Sequence, residues 1–138
     1  YVNVEQIEIL EDTEAYESVQ SIGMIYNRIG FFVKVGEGEN SYGTGNKYII
    51  GENVSPELFF QRNLCYEFDL NHPSLETHDL RISTTADGTH NDGIVYSDNV
   101  ELVQTPKEMY IMVTDSTPDT LYYFCINHPG MGGTITVK

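Results

Sequence analysis

The sequence predicts an all-β fold, an antiparallel β-sandwich preceded by an N-terminal extension, on three observations. Short runs of β-forming residues recur at regular spacing after residue 46. Turn formers separate them, at Pro56, Pro73, Gly88, Gly93, Pro106, Pro118 and Pro129. The same stretch holds no helical hydrophobic periodicity of useful length.

Taken in order, residues 2–10 alternate imperfectly and read as a first strand, while 11–20 are acidic and suit a loop or a short helix. Residues 24–35 collect Ile25, Tyr26, Ile29, Phe31, Phe32, Val33 and Val35, interrupted by Gly30, and again favour a strand. The run GEGENSYGTG at 36–45 is rich in glycine and reads as a turn region. It sets the boundary between an extension or attachment segment, 1–45, and a main domain, 46–138. Within that domain strands are expected at 47–50, 57–60, 64–70, 78–83, 109–114, 121–124 and 134–137. Frequent turns between short strands make a sandwich the natural way to bury one face of each.

The 138 residues are enough for one core without staples, and 40% hydrophobic with 20% charged is ordinary for a globular chain. No apolar run approaches the roughly eighteen residues of a membrane span. Seven Lys and Arg against 21 Asp and Glu give a formal net charge of −14. That charge repels phosphate backbones and anionic lipid surfaces, so neither nucleic acid nor membrane is an expected partner. The chain begins at Tyr1, as a processed protein or a segment of a longer one would.

Two cysteines could form one disulfide. Along 64–70, however, Leu64, Tyr66, Phe68 and Leu70 alternate with Cys65, Glu67 and Asp69. Cys65 therefore shares a polar strand face with two carboxylates. On 121–125, Cys125 shares the face of Leu121 and Tyr123 and points to the core. The two sulfurs are not expected to meet.

The chemistry concentrates in LYYFCINHPGMGGTITVK, where Cys125, His128 and Met131 stand at the spacing C-x2-H-x2-M on one short loop between strands. A thiolate, an imidazole and a thioether are the soft ligands of a blue-copper site, which needs a second His from elsewhere. His72 lies in a turn (NHPSLE) and His90 in a polar loop (ADGTHNDG). His78 opens a strand on the face of Leu80 and Ile82, so it points toward the core, where a buried ligand belongs. Copper held by His78, Cys125, His128 and Met131 follows.

Singly, each of these residues has an ordinary explanation. An inward Cys is usually a small hydrophobe, His128 before Pro129 a turn residue, Met131 a gap-filler, and His78 a core-edge histidine. Jointly, in this order and spacing, they point to a site of metal-binding ancestry. Copper occupancy is a separate matter, because a fold can outlive its metal. Zinc would accept the Cys and both His, but Met is a poor zinc ligand. A Cys–His nucleophile lacks an orienting third group and an oxyanion hole, so no enzyme activity is expected. Asp87, Asn91 and Asp92 miss the spacing of a calcium loop.

The order His78, Cys125, His128, Met131, with His78 standing 47 positions before Cys125, resembles the cupredoxins of the plastocyanin and amicyanin type. The resemblance covers roughly 46–138. It implies a Greek-key β-sandwich in which His78, Cys125 and His128 are equatorial copper ligands and Met131 is axial. The runs GNKYIIG (45–51), DLRISTTADGTH (79–90) and LYYFCINHPGMGG (121–133) are further similar to the cupredoxin-like domains of marine phage structural proteins, cyanophages above all. That similarity implies a virion location, as capsid decoration, tail or fibre, with other virion proteins or copies of the same chain as partners. The alternative it leaves is a periplasmic or secreted type 1 copper electron carrier with a redox protein partner. Two features depart from such carriers. Asp79 follows His78 where Asn is frequent, and the loop offers only Ile126, Pro129 and Met131 as an apolar docking surface.

Overall fold

The computed structural model describes residues 28–138, and the elements expected at 2–10 and 11–20 lie outside them. Among the described residues ten strands run in order as β1 (Arg28–Asn40), β2 (Gly43–Ile50), β3 (Asn53–Val54), β4 (Leu58–Phe60), β5 (Cys65–Asp69), β6 (Leu80–Ser83), β7 (Val100–Gln104), β8 (Lys107–Met112), β9 (Thr120–Cys125) and β10 (Gly133–Val137). Two 3-10 turns, Pro73–Leu75 and Gly88–Asn91, interrupt them. One sheet has the order β3-β2-β1-β5-β8-β7 and the other β4-β10-β9-β6. The fold is all-β, a sandwich of two sheets.

The core lies between the sheets. Val33, Tyr48, Phe68, Met109 and Ile111 from the larger sheet meet Phe60, Leu80, Ile82, Leu121, Tyr123 and Ile135 from the smaller. Period-2 alternation puts these side chains inward. On β9, Leu121, Tyr123 and Cys125 are all buried, as their shared face requires. Most pairs are antiparallel, but β1 pairs β5 and β4 pairs β10 in parallel. The chain visits the other sheet, or the rest of its own, between the members of each pair. Both members then run the same way, as crossing connections allow and hairpins do not.

Two expectations meet a different arrangement. The glycine-rich run 36–45 is a long hairpin, with β1 and β2 paired from Val33↔Ile50 to Asn40↔Gly43. A Cβ at Gly36 would sit 2.7 Å from Ile49 Cδ1, and one at Gly38 2.9 Å from Val54 Cγ1. These glycines leave room for side chains of the neighbouring strands, and the division drawn at residue 45 falls inside β2. The outer face of β5 is also less open than its alternation suggests. Cys65 and Glu67 are buried. Arg28 pairs with Glu67 at 2.9 Å and lies 5.5 Å from the centre of the Tyr110 ring. Both cysteines are free.

Candidate metal centre

His78, Cys125 and His128 converge at one end of the sandwich. Cys125 closes β9 in register with Leu80 of β6, so His78, just ahead of β6, stands beside it. The His78 N–H donates to Leu75 O at 3.0 Å, fixing the approach to the strand from the preceding 3-10 turn. His128 lies three residues past Cys125 on the β9–β10 loop and is exposed. Cys125 Sγ is 3.7 Å from Nδ1 of His78 and 3.8 Å from Nδ1 of His128. One ligand atom from each of the three residues lies within 4.8 Å of the others.

This spacing can be tested against a metal. Donors about 2.0 Å (N) and 2.3 Å (S) from a shared first-row ion, set trigonally, would be roughly 3.7 Å apart. The two sulfur–nitrogen distances match that value. A carbonyl or carboxylate cage for a hard cation would need oxygen ligands, which this cluster lacks. The donor set therefore fits a soft or borderline metal such as copper. Burial lowers the His78 pKa below its usual value, the neighbouring His128 lowers it further, and Asp79 opposes both. A neutral imidazole is the form that ligates a metal.

Met131 is buried in the core cluster that also holds Cys125. Its backbone is pinned on two sides: Tyr48 N donates to Met131 O at 3.0 Å, and so does Ser55 Oγ at 3.0 Å. Gly130 is clamped similarly. Its carbonyl accepts from Lys47 Nζ at 2.8 Å and Asn40 Nδ2 at 2.9 Å, and its N–H donates to Asp87 Oδ1 at 2.9 Å. Asn127 Nδ2 donates to Thr77 O at 2.9 Å, joining the loop to the approach of His78. At Gly132 a Cβ would lie 1.7 Å from Tyr123 O, so only glycine lets the chain turn back along β9. The loop that carries two candidate ligands is thus braced by the hairpin 40–48.

The other histidines take different roles. His72 accepts from Ser74 N through its ring and caps the Pro73–Leu75 turn. His90 places Nε2 2.7 Å from the Cys125 carbonyl and stands edge-on to Phe124. Asp87, weighed from sequence as part of a cation loop, holds the Gly130 N–H instead, and Asn91 donates to Ala86 O at 3.3 Å. Lys47 and Tyr48 had no signal in the sequence. They are adjacent on a strand, where one of two neighbours normally faces solvent, yet both are buried. Of the loop's apolar residues, Ile126 and Pro129 are exposed while Met131 is not. A cavity of about 430 Å³ lies against His128, lined also by Tyr42, Lys47 and Asp87.

No protein-family model matches the chain, and no curated protein does. Similar solved structures include the 2F4 variant of the McoA multicopper oxidase from the hyperthermophile Aquifex aeolicus, at 16% identity and a TM-score of 0.42. The McoA multicopper oxidase of the same organism aligns at 13% identity and a TM-score of 0.40. Each alignment covers 80% of this chain and 26% of the oxidase, so the chain spans about a quarter of their length. Nothing in these comparisons connects the chain to a virion.

Proposed function

We propose that the protein is a mononuclear copper-binding domain in which His78, Cys125, His128 and Met131 would hold the ion. The observation that carries this is the Cys125 sulfur facing one Nδ1 from each histidine at 3.7 and 3.8 Å. Bound copper would supply a one-electron change between Cu(I) and Cu(II). The chain's own part is to hold the donors still, since ligands that barely move cost little reorganisation when the charge changes. Two of them, Cys125 and His78, are buried against strands, and the loop bearing the others is pinned at Asn127, Gly130 and Met131. The exposed His128 is the natural edge for exchange with a redox partner, and no catalytic role is proposed.

Copper-loaded protein should show an intense visible sulfur-to-copper charge-transfer band. Addition of Cu(II) that gives no such band would overturn the proposal. A second reading keeps the sandwich as scaffold, in a phage virion and bound to other virion proteins or to copies of itself. It is favoured only by the runs at 45–51, 79–90 and 121–133. A chain that binds no copper but assembles into symmetric particles would support that reading over the first.

A further inference from the structure

Buried polar atoms almost always find a partner, and an unpaired one costs roughly 1–3 kcal/mol. The Tyr48 hydroxyl is an exception. Tyr48 is fully buried on β2, tilted against Tyr123 with ring centres 6.3 Å apart. Among the described residues, no acceptor meets its O–H at hydrogen-bond geometry. Tyr123 has no such problem, because its own hydroxyl donates to Pro56 O at 2.6 Å.

The group that Tyr48 faces is the sulfur of Cys125. The two belong to one core cluster with Met131, and the Tyr48 N–H already holds the Met131 carbonyl at 3.0 Å. A thiol sulfur is a weak acceptor, which explains an unmade bond. A thiolate is a strong one, and a phenol hydrogen can rotate to it.

We infer that the Tyr48 hydroxyl is the hydrogen-bond donor to the Cys125 sulfur in its metal-bound, thiolate form, which makes Tyr48 a positioning and tuning residue of the centre. This rests on the copper reading above and adds to it a donor from β2, far from the ligand loop in sequence. A donor on the sulfur withdraws electron density from the sulfur–copper bond. It therefore favours Cu(I) and raises both the potential and the energy of the charge-transfer band.

The test is Tyr48→Phe, which removes one oxygen, beside Tyr123→Phe as a packing control. In copper-loaded protein Tyr48→Phe should move the visible band to longer wavelength and lower the Cu(I)-to-Cu(II) affinity ratio about tenfold. That is about 59 mV in a one-electron potential. An unchanged band and potential, or an equal shift in Tyr123→Phe, overturns the inference. A second readout needs no metal. Proton NMR of the wild-type chain should show a slowly exchanging Tyr48 hydroxyl with a nuclear Overhauser contact to the Cys125 β-protons. A hydroxyl in fast exchange with water, or one without that contact, overturns it too. A chain that takes up no copper sinks the functional proposal, whereas copper-loaded protein whose band and potential ignore Tyr48→Phe sinks this inference alone.

Discussion

The two cysteines are both buried and both free, yet they sit in opposite kinds of surroundings. Cys125, at the end of β9, faces two imidazole nitrogens and a buried phenol. Cys65, at the start of β5, lies on the outer face of the other sheet beside Glu67 and the Arg28 that pairs with it. Burial pushes the Cys65 thiol up to about 11. Arg28 pulls the other way, and the charges of Glu67 and Glu101 add to the rise. Equal exposure thus gives two different sulfurs. One faces two imidazole nitrogens that can share a metal with it, and the other lies beside the Arg28–Glu67 ion pair. Neighbours decide the chemistry, and burial alone does not.

The largest way to break this comparison is to remove each sulfur in turn. Cys125→Ser should abolish the visible copper band entirely, while Cys65→Ser should leave its position and intensity unchanged. Retention of the band in Cys125→Ser would show that the copper sits elsewhere.

Labelling sharpens the same contrast without metal. A thiol moved from 9.0 to about 11 has roughly a hundredth of the thiolate at pH 8, and the thiolate is the nucleophile. Iodoacetamide should therefore modify Cys65 about a hundredfold more slowly in the folded chain than in urea, read site by site by mass spectrometry. Equal rates would mean that the β5 face opens readily.

A smaller effect is expected from the brace. Lys47→Met removes the ammonium that donates to Gly130 O and leaves Asn40 as the remaining side-chain donor there. Groups that orient a ligand from behind are typically worth 10- to 100-fold in metal affinity. With one donor left, the lower end applies, so copper affinity should fall about tenfold by competition titration. Cys65→Ser should not change that affinity at all.

These contrasts also show where the sequence speaks and where it is silent. The meeting of Cys125 with His128 is legible because one short loop carries both, and that with His78 because Leu80 and Ile82 declare its face. The strands that build the core are legible for the same reason, alternation of apolar side chains. β7 is not. Its residues Val100–Gln104 form an edge strand with a single neighbour, so they need little apolar patterning. The hairpin 36–45 reads as a linker because glycines that make room for Ile49 and Val54 look the same as glycines that make turns. Lys47 and Tyr48 reach the ligand loop only through the packing of β2 beside it, and no local pattern encodes a contact between such distant segments. The burial of Cys65 is hidden likewise, since it depends on β1 lying parallel to β5 and bringing Arg28 to Glu67.

The smallest predicted effect concerns alkaline pH. In the unfolded chain the Cys65 thiol titrates near its ordinary 9.0, and in the folded chain near about 11. Between those values the unfolded state binds fewer protons than the folded one, so stability must fall as pH rises. The contribution is fully present below pH 9.0, declines across the interval and is gone above about 11. Three tyrosines bend the curve in the same sense, since desolvation raises Tyr48, Tyr123 and the half-buried Tyr110, the last to about 12. Cys65→Ser should therefore flatten the decline without abolishing it. The measurement is the urea midpoint of both proteins across pH 8 to about 11. Parallel curves would mean that the folded-state thiol ionises as easily as a free one, and the contrast between the two cysteines would then be one of location only.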